Sequence, residues 1–138
     1  MKKSKTSFEN SVEHKHLGVF RLNHENVDVY YWPHSFGGEF YFAPDLINKP
    51  RIKIGVCYST FEEVLNVALH EAYEAVMTWH RLRFMLSGGC GSSDGYTFIL
   101  THPQFTEVTA KVAVFIADVY EPLRKVWLAE KKKTRTLK

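Results

Sequence analysis

The stretch that most constrains this chain is residues 59–84, STFEEVLNVALHEAYEAVMTWHRLRF. Phe61, Leu65, Ala68, Ala72, Val76 and Trp79 recur at helical spacing and form one apolar stripe. Ser59 with Glu62, and Thr60 with Glu63, match a capping box in two successive registers. The spacing predicts one unbroken helix that stops before Ser87-Gly88-Gly89. Such a one-sided helix must be covered, and the rest of the sequence reads as what covers it.

The chain has 138 residues, room for one domain with a real core. Its 45% hydrophobic, 14% aromatic and 24% charged residues describe a folded globular protein. The formal net charge is only +3, and much of the basic excess sits at the ends, in Lys2, Lys3, Lys5 and residues 131–138. These read as solvated tails. No long basic stripe interleaved with aromatics runs through the body of the chain, so nucleic acid is not an expected partner. Cys57 and Cys90 form no CxxC pair, so spacing gives no zinc ribbon or redox motif. No apolar run reaches the ~20 residues a bilayer crossing needs. The N-terminus has charge but no apolar run behind it, so no signal peptide is read there. The expected setting is a reducing cytoplasm.

In chain order, residues 1–15 read as a loose arm, 16–130 as a single domain and 131–138 as a basic tail. Residues 16–22, 27–32 and 39–43 read as three strands joined by short turns, a β-meander in an antiparallel, or else mixed, sheet. Residues 51–56 (RIKIGV) alternate charge with isoleucine and read as a fourth strand with one wet face. Arg51 and Lys53 are the kind of charges that guard an edge, and Gly55 marks a bulge or a close backbone approach. After the long helix come a glycine-rich loop (87–95), a fifth strand (96–101) and a second helix from His102-Pro103 to about residue 129. Phe105, Val108, Val112, Phe115, Ile116, Val119 and Leu123 form its stripe, and Pro122 should kink or restart it. The fold class is α+β: a small sheet with two long helices packed on it.

The first helix also carries His70-Glu71-Ala72-Tyr73-Glu74. His70 and Glu74 lie one turn apart on one face, roughly opposite the apolar stripe and in line with Glu63, Asn66, Met77 and Arg81. That face is either plain solvent surface or the wall of a polar cleft. A histidine and a carboxylate so placed can ligate one divalent metal, and Glu71, a quarter-turn away, can act as a general base. The alternative is an ordinary one-turn ion pair worth about 0.3–0.5 kcal/mol.

This H-E-x-x-E pattern resembles the HExxH signature of the zincin metallopeptidases, with glutamate for the second histidine. The resemblance implies zinc as cofactor, His70 and Glu74 as ligands, Glu71 as the catalytic base and a peptide or protein substrate. It also implies a sheet before the motif helix whose last strand forms the edge above the cleft, and a third ligand from a second helix. Roughly residues 38–125 can be laid on that order. His102 is the favoured third ligand, since it falls on the flank of the second helix's stripe. Glu107 projects to the other side with Lys111 and Asp118. Cys90 offers a thiolate that would close the shell and make the site structural. His80 lies ten residues beyond His70, too far to share an ion. The other reading is a non-enzymatic interaction factor, of viral or mobile-element type, that binds a partner through the sheet edge or the first helix and holds no metal.

Overall fold

The computed structural model describes residues 13–41, 49–85 and 96–136. The expected glycine-rich loop with Cys90, most of the N-terminal arm and most of the 44–50 connection lie outside them. The elements in order are β1 (Lys15–Leu22), β2 (Glu25–Trp32), β3 (Gly38–Tyr41), β4 (Arg51–Gly55), α1 (Phe61–Trp79), β5 (Arg83–Met85), β6 (Tyr96–Phe98) and α2 (His102–Thr136). The class is α+β, as the sequence indicates.

The four-stranded sheet is ordered β1-β2-β4-β3 and is mixed. β1 and β2 form an antiparallel hairpin, β2 pairs with β4 in parallel, and β3 pairs with β4 antiparallel. This corrects two expectations. The first three strands are not a meander, because β4 inserts between β2 and β3. Nor is β4 an edge: its charges occupy the outer face of a central strand. Lys53 Nζ lies 3.6 Å from Glu39 Oε1 and over the Trp32 ring, and the Arg51 guanidinium lies over Tyr41. Ile52 and Ile54 point inward and are fully buried. A strand in an open-faced sheet can be central and still half wet, so charge alternation alone cannot mark an edge.

The 33–37 link crosses the end of β4. Gly55 N–H donates to the Gly37 carbonyl (2.7 Å), Val56 N–H to Trp32 (3.0 Å) and Cys57 N–H to Ser35 (3.1 Å). A Cβ at Gly55 would stand 2.5 Å from the Ser35 carbonyl oxygen, so the glycine marks a close backbone approach.

Both helices cover the inner face. α1 packs on β3, β4 and α2, and α2 packs on β1. Val27, Val29, Ile52 and Ile54 meet Val64, Ala68, Ala72 and Val76 of α1 and Val108, Val112, Phe115, Val119 and Leu123 of α2 in one core. Because α1 is held by a sheet on one side and a helix on another, it buries a wider arc than the predicted stripe. Val64, Glu71 and Ala75 are buried, while Leu65 and Trp79 are partly exposed.

Thr60 is the N-cap of α1, so the structure selects the second capping box: Glu63 N–H donates to Thr60 Oγ1 and Thr60 N–H to Glu63 Oε2. The helix stops at Trp79, five residues before the expected end. His80 is the C-cap, and Arg81 takes the left-handed conformation at φ 58°. Leu82 N–H donates to Met77 (2.9 Å) and Arg81 N–H to Thr78 (3.0 Å), a Schellman closure built without glycine. Buried Leu82 then leads into β5, which pairs with β6. At the start of α2, Thr101 and Gln104 bond reciprocally (2.7 and 3.4 Å) as a capping box. α2 runs continuously past Pro122 to Thr136, so the basic residues from Lys131 to Arg135 are helical.

Arg81 holds a backbone conformation that costs a side chain about 1–2 kcal/mol. Arg81→Gly is therefore expected to raise unfolding free energy by about 1 kcal/mol in urea titrations, with the denaturant slope unchanged.

Candidate metal centre

α1 sets three ligand-type side chains on a little over one turn. One atom each from His70, Glu71 and Glu74 lies within 4.8 Å of the others, and among the described residues this is the one such group of three or more. His70 Nε2 is 3.3 Å from Glu74 Oε2. The His70 side chain is 66% exposed and that of Glu74 12%, so the group passes from the surface inward. Beside it runs an open groove of ≈ 390 Å³ walled by Leu69, Tyr73, Met77 and Phe98. Tyr73 Oη donates to Thr109 Oγ1 of α2 (3.3 Å), which ties that wall to the second helix.

Glu71 is the deepest member. At 6% exposure it is the one buried charged residue among those described, and no hydrogen bond reaches it from them. Burial pushes its pKa from 4.5 up to about 7; His70 opposes the shift, while Glu74 and Glu39 add to it. Gly38 of β3 makes the burial possible. A Cβ there would stand 2.6 Å from Glu71 Cγ and 2.8 Å from Oε1. The sequence shows Gly37-Gly38, but as a turn signal; nothing in it says that Gly38 faces Glu71 from the edge strand.

His102 does not join the group. It is the first residue of α2, exposed, and its carbonyl accepts from Thr106 Oγ1 (3.1 Å). Glu107 is also outside it: Lys111 Nζ donates to its carboxylate (2.8 Å) and holds its pKa below the usual range. His80 is engaged elsewhere, with Nε2 3.1 Å from Asn23 Oδ1 and 2.8 Å from Lys111 Nζ. Cys90 lies outside the described residues. The resemblance placed the last strand before the helix at the edge of the cleft, but here β3 holds that edge.

Compared with protein-family models, curated proteins and solved structures, the chain finds no match.

A buried carboxyl whose folded pKa exceeds its unfolded value binds more protons when folded. Stability is then greatest below pH 4.5 and falls as pH rises through about 7. Chelator-treated protein is expected to lose up to roughly 3 kcal/mol across that window. Glu71→Gln should flatten the profile and leave the variant more stable than the parent at pH 8, as read by urea titration at each pH.

The same packing predicts that Gly38→Ala destabilises the fold by about 1–3 kcal/mol through overpacking against Glu71. Gly38→Ala with Glu71→Ala should recover part of that loss, since the colliding carboxyl is gone.

Proposed function

We propose that this protein is a zinc-dependent hydrolase of peptide bonds, in which His70 and Glu74 hold the metal and Glu71 is the general base. The observation that carries this reading is the convergence of the three side chains around a carboxyl shielded from water. The 3.3 Å between His70 Nε2 and Glu74 Oε2 is also roughly the edge of a tetrahedron with zinc–ligand bonds of about 2.0–2.1 Å. Imidazole nitrogen and carboxylate oxygen are both donor types that zinc accepts.

Zinc at this place would supply Lewis acidity toward a carbonyl and toward water. The chain's own part is proton handling. A base is most effective when its pKa lies near the working pH, and burial has moved Glu71 into that range. A neighbouring cation lowers the pKa again and makes the carboxylate the resting form at neutral pH. The groove of Leu69, Tyr73, Met77 and Phe98 offers an apolar wall beside the reacting group. The working location in this reading is the cytoplasm, with a peptide or protein as substrate; no helix among the described residues is long and apolar enough to cross a membrane.

Elemental analysis of protein purified without a histidine tag tests the reading. One zinc per chain is expected, lost in His70→Ala and in Glu74→Ala. Glu71→Gln should keep the metal and lower peptide hydrolysis about 10²–10⁴-fold. A folded, metal-free parent that takes up no zinc on titration would overturn the proposal and favour the non-enzymatic interaction factor.

A further inference from the structure

At the opposite end of α1 from its C-cap, the last turns of α2 form a second feature that the metal reading does not use. A cleft of ≈ 370 Å³ lies between Ser59, just before the α1 N-cap, and the α2 side chains Trp127, Lys131, Lys132 and Arg135. Trp127, Lys131 and Arg135 are spaced by four, so one helix face carries an indole with cations stacked beyond it. Among the described residues, no carboxylate lines the cleft.

Two properties mark this cluster: among the described residues its cations lack a carboxylate partner, as Arg124 and Lys125 on the same helix also do, and they surround a fixed indole. Lys53, Lys111 and Lys133 each have a carboxylate within 4.0 Å, in Glu39, Glu107 and Glu130. Among the described residues, Lys131, Lys132 and Arg135 have none. The indole, in turn, is anchored. Trp127 Nε1–H donates to the Tyr58 carbonyl (3.1 Å), and the ring packs against Phe61 at 5.8 Å. Lys131 Nζ is 5.9 Å from the indole centroid, the outer limit of a cation–π contact, so it can leave the ring without losing a strong interaction. Basic residues near a helix C-terminus also complement its dipole, but that role needs neither a fixed aromatic floor nor an opposing wall.

We propose that this cleft binds single-stranded nucleic acid, with one base stacked on Trp127 and the flanking phosphates held by Lys131, Lys132 and Arg135. A fixed aromatic ring with unpaired cations around it is what strand binding without sequence readout requires. An acidic peptide would satisfy the cations and leave the indole unused. An anionic membrane surface would need a flat face, and here the indole sits in a recess between α2 and Ser59. The basic run that reads in the sequence as a solvated tail becomes one wall of this cleft because α2 continues through it.

The experiment is fluorescence anisotropy of the full chain with a labelled twelve-nucleotide oligothymidylate, from 50 to 300 mM salt. Binding should weaken with salt, and Lys131→Gln with Arg135→Gln should lower affinity at least 10-fold at 50 mM. The log–log salt slope should fall in magnitude by about 1.4, as expected for two lost phosphate contacts at about 0.7 each. Trp127→Leu should lower affinity about 10-fold and Trp127→Phe much less, with circular dichroism confirming that both variants fold. Three results would each overturn the proposal: no binding at 50 mM salt, binding indifferent to the Lys131/Arg135 pair, or binding to phosphatidylserine vesicles but not to the oligonucleotide. None of these readouts involves zinc or His70, so they stand apart from the tests of the metal site.

Discussion

The rest of the structure depends on the burial of one face of α1 between a sheet and a second helix. Ala68, Ala72 and Ala75 keep that face slim enough for both neighbours to approach, and Val64 and Val76 fill the space between them. Near the middle of the same face sits Glu71, a carboxyl among apolar side chains. Nothing about packing requires an acid there. An uncompensated buried carboxyl opposes folding near neutral pH, which is why perturbed acids of this kind concentrate at functional sites.

The sheet topology explains how the acid comes to be covered. Since β4 inserts between β2 and β3, the short strand β3 is pushed to the edge and carried over α1. Gly38 is the contact point, and any side chain there would occupy the volume of Glu71. The glycine at the end of β4 has the matching task at the crossover, where the 33–37 link passes directly over it. The unusual strand order, the two close approaches and the buried carboxyl are thus one arrangement. From there the site opens outward through Glu74 to His70 and the groove.

Local chemistry was readable in the residues, and long-range pairing was not. The two overlapping capping boxes fixed the start of α1 to within one residue, because the partners of each lie within one turn, and the structure chose the Thr60–Glu63 register. Its end was not readable, since Arg81 closes the helix in a conformation that sequence associates with glycine, held there by buried Leu82 and the β5–β6 pair. The alternation in β4 correctly assigned inward isoleucines and outward charges, yet the same pattern serves an edge or a central strand. The His70–Glu74 pair followed from helical spacing alone. The depth of Glu71 did not, because the apolar arc of α1 is wider than a single stripe.

What the sequence determined by itself was therefore the α+β class, the two long helices, the four main strands and the convergence of His70, Glu71 and Glu74 on one stretch of helix. All of these arise from interactions between residues a few positions apart, whose geometry the backbone repeat dictates. The tertiary structure alone decided the strand order, the depth of Glu71 and its contact with Gly38. It also decided the separation of His102 from the group and the joining of Ser59 to the basic end of α2. Each of those depends on which distant segments meet, and that choice is made by the packing of the whole core.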